Sequence, residues 1–322
     1  MTLRLGIVGA GAMGAKVAAA AAQLDDVVLT AVADRDVARA QALAAPQDAA
    51  AVATLDELAA LGTVDGVYIA LPHDQHRDAC VAAARAGLHI LIDKPLCNTD
   101  AEAAAIIAAR DDAGIRVMVG FSYRFRAEWM QARDLISAGV IGDVEFISDT
   151  IIEAQESMPA WYWDPAAGGG ALQIQSHHSF DRLMWLTGSP FARIGCQTVA
   201  VSGEAVNSAA ITATQDSGAL AAIAIGFGRA YRSVPSFVTV IQGTRGQISL
   251  DFDRSLQLDT AQRHERFEYP DDDWMRTEVQ AFAELCAGTA GAPTAEDGRA
   301  ALACALAAVE SAANGGVPVE LR

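Results

Sequence analysis

The sequence predicts an α/β protein of two domains. A doubly wound parallel sheet spans 1–121, and an α+β domain with a mostly antiparallel, open-faced sheet spans 122–322. Three observations predict this. The chain opens on a short β-rich run, a glycine cluster and a helical pattern. Strands and helices then alternate as far as Phe121, the order that a parallel sheet requires. Beyond Phe121 the alternation stops and short apolar strands recur, as they do in an antiparallel sheet with its helices set to one side.

The opening stretch, "LRLGIVGAGAMGAKVAAAAAQL", sets Gly9, Gly11 and Gly14 between strand and helix. At these positions glycine makes a tight turn, admits a pyrophosphate to the backbone and lets helix and strand pack closely. Ala12 and Met13 open the helix, whose N-terminus attracts phosphate. The strand "VVLTAVAD" ends at Asp34, 20 residues after Gly14, where an acid that binds the ribose diol is expected. Its carboxylate repels a 2′-phosphate, whereas Arg35 beside it is either a solvated charge or a partner for one. NAD is the expected cofactor, with NADP as the alternative.

Further strands "GVYIALP", "LHILID" and "IRVMVGF" alternate with helices "QHRDACVAAARAG" and "DAEAAAIIAARDDAG". Ligands of such sheets bind outside the carboxyl ends of the strands, so Leu71, Pro72, His73, Asp93 and Lys94 are expected on the ligand side. His73 and His76 are three residues apart, but no third ligand cluster accompanies them, so His76 is read as a first-turn helix residue near the cofactor and no metal is expected. The alanine runs 18–22 and 49–51 read as helix, because alanine is the best helix former.

The second half begins with a helix, "AEWMQARDLISAGVIG", and a long strand, "DVEFISDTIIEA". The glycine segment and its helix, "GGGALQIQSHHSFDRL", follow, then five short strands and two closing helices. At about 100° per residue, Ile174, His178 and Asp181 share one helix face and His177 points elsewhere.

Composition narrows the function classes. The net charge of −17, from 40 acidic against 23 basic side chains, disfavours nucleic acid and anionic lipid as partners. Five cysteines without paired spacing read as free thiols in a reducing, cytoplasmic setting. Lys16 interrupts the apolar N-terminal run that would otherwise suggest a secretory signal. No stretch reaches the ~18 apolar residues of a membrane span.

The pieces "GIVGAGAMG", "LPHDQHRDACVAAARAGLHILIDKPL", "VMVGFSYRF", "WDPAAGGGAL" and "HSFDRLMWLTG", in this order, resemble the glucose–fructose oxidoreductase / inositol dehydrogenase (Gfo/Idh/MocA) family over nearly the whole chain. The resemblance implies a Glu-Lys-Pro triplet at a strand end, here Asp93-Lys94-Pro95, with the lysine near nicotinamide and substrate. Leu71 departs from the threonine usual before Pro72. The resemblance also puts the active histidine at His178 and leaves Ile174 where an aspartate usually stands, with Asp181 and Gln175 as candidates to orient the ring. Tyr123, Arg124, Trp161, Gln175 and His177 join Lys94 and His178 as candidate substrate contacts. A homo-oligomer, dimer or tetramer, formed through the second sheet is implied as well.

The expected activity is hydride transfer between a secondary hydroxyl of a sugar, cyclitol or related polyol and NAD(P). Lys94 would hold the oxygen and His178 would act as base. Two rivals come from other classes: a glycosidase that retains NAD and oxidises transiently, and a non-catalytic dinucleotide or sugar sensor.

Overall fold

The computed structural model describes residues 2–154, 159–164, 167–200, 205–228, 236–251, 254–270 and 273–321. Pro165 and Ala166 of the "WDPAAGGGAL" piece and the strand ends Val201 and Phe252 lie outside the described residues, as do the chain ends Met1 and Arg322. The chain divides into two compact units, 1–125 with 273–299, and 126–272 with 300–322.

In the first unit, β1 (Leu3–Val8), α1 (Ala12–Ala21), β2 (Val27–Ala33), α2 (Val37–Ala44), β3 (Ala50–Val52), α3 (Leu55–Ala60), β4 (Gly66–Ile69), α4 (His76–Arg85), β5 (His89–Asp93), α5 (Asp100–Ala113) and β6 (Val117–Gly120) succeed one another. The sheet order is β3-β2-β1-β4-β5-β6 with every pair parallel, the doubly wound order in which ligands lie beyond the carboxyl ends. Val8, Ala33, Ile69, Asp93 and Gly120 end their strands along one edge, and Asp93 stands in register with Gly120. Both faces of the sheet are covered, so β1, β4 and β5 are apolar runs rather than alternating ones.

The alanine runs diverge. Residues 18–21 belong to α1 as expected, but Ala50 and Ala51 form β3, paired with Ala31 and Val32 of β2. Three residues cannot hold a helical turn against a strand ladder that satisfies their backbone groups, so the partner strand overrides propensity.

In the second unit, α6 (Ala127–Ser137), β7 (Val144–Ala154), α7 (Gly170–Thr187), β8 (Phe191–Ala200), β9 (Val206–Gln215), β10 (Leu220–Gly228), β11 (Ser236–Gly243), β12 (Gly246–Asp251), β13 (Ser255–Thr260) and β14 (His264–Glu268) follow. Helices α8 (Trp274–Cys286) and α9 (Ala295–Ala313) and strand β15 (Val319–Glu320) close the chain. The nine strands run in the order β14-β13-β12-β11-β7-β10-β9-β8-β15, antiparallel except for the β7–β10 pair. Odd residues of β7 (Ile147, Asp149, Ile151) are buried, whereas Phe146 and Ile152 on the opposite face are exposed. Helix α7 packs against β7, β9 and β10. It is fastened there by Arg182, which pairs with Asp149, lies 4.9 Å from the Trp129 ring centre and is 1% exposed. Thr239 donates to the same carboxylate at 2.5 Å. Removing either ion of a buried pair strands the other, at a cost of about 3–5 kcal/mol, so α7 is held firmly on the sheet.

The expectation placed the boundary at 121/122; the first compact unit runs to 125 and also includes residues 273–299. The reason is α8, whose Met275, Val279 and Phe282 join the core cluster of Leu3, Leu5, Val17 and Leu91. Each such side chain contributes roughly 1.5–3 kcal/mol on burial. Among the described residues, no helix is long and apolar enough to cross a membrane.

Candidate active site

The fingerprint loop explains its own glycines. Gly9 has φ +105°, and a Cβ there would lie 2.3 Å from the Ala70 carbonyl oxygen, so only glycine fits. A Cβ on Gly14 would come within 2.2 Å of the Gly9 carbonyl oxygen. Gly11 caps α1 without any side-chain hydrogen bond, and the N–H groups of the first turn lack intrahelical acceptors. Asp34 accepts from the Ala10 N–H at 2.8 Å and from the Asp36 N–H at 2.9 Å, which fixes its carboxylate beside the loop. These residues fit a dinucleotide: an uncapped helix N-terminus, space above Gly11 and a pinned acid at the end of β2. Arg35 is exposed. The arginine that reaches the loop is Arg39, which donates to the Ala10 carbonyl at 3.2 Å and stands 3.9 Å from Asp34. Sequence reasoning missed it, because α2 turns Arg39 back over the loop and no motif marks that turn.

At the end of β4, the Leu71 side chain lies against the fingerprint loop, 3.4 Å from where a Gly9 Cβ would stand. His73 and His76 are buried, with ring centres 5.5 Å apart. His76 opens α4 as expected. Its Nδ1 is 2.8 Å from the Pro95 carbonyl oxygen and its Nε2 is 2.9 Å from that of Leu71. Burial lowers the His76 pKa, while the two carbonyls and the Asp93 charge favour the protonated ring. A neutral ring can donate to only one of those oxygens. His76 therefore ties the β4 and β5 ends together, and burial outweighs the carbonyls and Asp93, holding its pKa below the usual histidine value. At the end of β5, Asp93 Oδ1 accepts from the Lys94 N–H at 2.9 Å, and the Lys94–Pro95 bond is cis.

Tyr123 is buried. Arg124 lies 3.1 Å from Asp297 and 5.8 Å from the Phe121 ring centre. Its guanidinium is thus engaged inside the first unit, which makes it a poorer substrate contact than its sequence position suggests.

In the second unit, the three glycines before α7 each answer a steric demand. A Cβ on Gly168 would lie 2.6 Å from the Trp161 carbonyl oxygen, and Gly169 has φ +70°. Gly170 has φ +72°, and its Cβ would meet the Val206 carbonyl oxygen at 2.4 Å. The helix that follows buries Ile174, His177 and Asp181 at 3%, 2% and 1% exposure, while His178 is only half-buried. Of the two histidines, His178 is the accessible one. Gln175, one turn before it, donates to Glu153 of β7 at 3.1 Å. Glu153 brings a carboxylate to the helix face where Ile174 offers none. A strand residue 22 positions away leaves no mark in the helix sequence, and so it was not foreseen. Trp161 and Tyr162 are half-buried, with ring centres 4.4 Å apart.

Comparison with known families decides the kinship. Residues 3–121 match the oxidoreductase family model with an NAD-binding Rossmann fold, and 129–249 match the GFO/IDH/MocA C-terminal domain. The chain belongs to the Gfo/Idh/MocA oxidoreductase family. Among relatives of this Gfo/Idh/MocA protein, an inositol 2-dehydrogenase of Rhizobium meliloti is 31% identical, over 97% of this chain and 98% of that one. A D-xylose 1-dehydrogenase (NADP(+)) of Haloferax volcanii is 31% identical over 58% of each chain. The crystal structure of a putative myo-inositol dehydrogenase from Sinorhizobium meliloti superposes with a TM-score of 0.84 at 28% identity, covering all of both chains. The family's N-terminal domain binds NAD, as the fingerprint geometry requires.

Proposed function

We propose that this Gfo/Idh/MocA protein is a dehydrogenase that oxidises a secondary hydroxyl of a sugar, cyclitol or related polyol and prefers NAD to NADP. The observation that carries this reading is the Asp93–Lys94–Pro95 turn on the carboxyl edge of the same parallel sheet that presents the fingerprint loop. The match to an inositol dehydrogenase along the whole chain supports the substrate class.

NAD, when bound, supplies the hydride acceptor. Gly9, Gly11 and the backbone of Ala12 and Met13 hold the pyrophosphate, Asp34 accepts from the ribose diol, and Leu71, Pro72 and His73 flank the nicotinamide end. Lys94 holds the substrate oxygen and opposes the negative charge that grows on it as hydride leaves carbon. His178 removes the hydroxyl proton, so that carbon loses a hydride, oxygen loses a proton and a carbonyl results. Gln175, with Glu153 behind it, binds neighbouring hydroxyls, and Trp161 offers an aromatic face to the polyol. His177 packs.

The reading extends to partners and setting. Phe146, Ile152, Leu220 and Val238 expose apolar surface on the outer face of the second sheet, where self-association would cover it. The five free cysteines suit a reducing cytoplasm.

A screen of cyclitols, aldoses and their glycosides with NAD tests the proposal. Net NADH formation with at least one free polyol is expected. Glycoside cleavage without net NADH, or binding without turnover, contradicts it.

Cofactor choice has its own test. Asp34→Ser should raise the NADP/NAD ratio of kcat/KM by roughly tenfold or more, about 1.4 kcal/mol, because the carboxylate goes while Arg39 remains to pair with a 2′-phosphate. A wild-type preference for NADP, or an unchanged ratio in the variant, would show that Asp34 does not set the choice.

A further inference from the structure

Helix α8 carries an acid that the proposed reaction does not use. Glu278 is 2% exposed, and its Oε2 has no hydrogen-bond partner. From α8 the carboxyl reaches the β5–β6 edge, where its Oε1 would stand 3.4 Å from a Cβ placed on Gly120. Gly120 is the register partner of Asp93. The missing side chain at Gly120 leaves room for the carboxyl, which lies inside the sheet edge that ends in the Asp-Lys-Pro turn. The buried Glu278 carboxyl thus stands beside Gly120, next to the half-buried Asp93 that precedes Lys94. Like charges so placed do not both ionise freely.

We infer that Glu278 is a positioning residue for Lys94: it keeps its proton against Asp93, so that one negative charge rather than two stands behind the lysine. The inference rests on the reading of Lys94 given above. The charged groups that face the pair are Lys94, His76 and Lys16, all acting on Asp93. Burial raises Asp93, and the Lys94 charge, the Lys94 N–H hydrogen bond and Lys16 oppose the rise, as His76 does when it is protonated. Burial, then the charge of Asp93, push Glu278 up to about 8. Both push Glu278 in the same direction, whereas Lys94 opposes the rise at Asp93, so Glu278 is the acid of the pair that stays neutral. When Glu278 does ionise, the second negative charge draws on the Lys94 ammonium in competition with the substrate oxygen.

The same proton has a signature in stability. Glu278 is protonated up to about pH 8 in the folded chain but only to about 4.5 when unfolded. Its contribution to stability is therefore full below about pH 4.5, is lost as pH rises to about 8, and is level beyond.

Three readouts test this on the intact protein. Infrared difference spectra of the wild type should show a protonated carboxyl band that bleaches around pH 8, and Glu278→Gln should lack it. The fall in Tm between about pH 5 and 8 should be shallower in Glu278→Gln than in the wild type. The ratio of kcat at about pH 9 to that at about pH 7 should drop in the wild type and be flatter in Glu278→Gln. A wild-type spectrum with no carboxyl proton released over that range overturns the inference even if the variant fails to fold. So does an alkaline decline that Glu278→Gln leaves unchanged. Undiminished turnover in Lys94→Ala would instead remove the lysine from the reaction and leave the infrared band in place, which separates the two failures.

Discussion

Lys94→Ala is expected to lower kcat by on the order of 10²–10³-fold, the loss that follows removal of one group opposing a developing oxyanion. NAD affinity should change only a few-fold, because the phosphate and ribose contacts proposed above come from the fingerprint loop and Asp34, not from Lys94. The turn that carries the lysine is held from several sides. Asp93 accepts from its N–H, and His76 links the Pro95 carbonyl to that of Leu71. The variant should therefore fold, and the loss should lie in turnover rather than in abundance. Cofactor titration by protein fluorescence quenching, alongside steady-state kinetics, separates the two. Turnover within a few-fold of the wild type would take Lys94 out of the mechanism.

The second large effect is expected at His178. Removing a general base costs on the order of 10²–10⁴-fold in rate. His178→Ala should show a loss in that range, whereas His177→Ala should keep its turnover and lose stability instead, because His177 is 2% exposed inside the second unit. The half-buried setting of His178 supports that order. Glu153 adds a subsidiary expectation. With Ile174 in the usual carboxylate position, Glu153→Gln should alter the pH–rate profile, because it removes the carboxylate that Gln175 engages. The opposite ranking of the histidines would reverse their roles. If neither matters, the proton leaves by another route.

The parallel sheet was legible because its signals are local. A glycine turn between strand and helix is written in consecutive residues, and the demand on Gly14 comes from the nearby Gly9 carbonyl, although that on Gly9 comes from Ala70 beyond β4. The orientation of α7 was less legible: helical phase groups His178 with Ile174 and Asp181, whereas His177 is the histidine buried as they are and His178 is half-buried. What the sequence hid is non-local. Ala50 and Ala51 become strand only because β2 offers them a ladder. The helical pattern of α8 does not say which core it serves, yet Phe282 buries itself in the first unit. The partners of the candidate residues within each unit are hidden in the same way. Arg39 reaches Ala10 from 29 residues away, Glu153 meets Gln175 from 22 away, and Glu278 stands against the Asp93 edge from the far side of the second unit's sequence.

Following the hydride itself tests the central claim most directly. A polyol turned over in the screen would be prepared with deuterium on the reacting carbinol carbon, incubated with the enzyme and NAD, and the cofactor weighed by mass spectrometry. One deuterium in each NADH formed, matched by one carbonyl product, is the predicted result. Carbonyl product with unlabelled NADH, or label that returns to the substrate with no reduced cofactor accumulating, would contradict it.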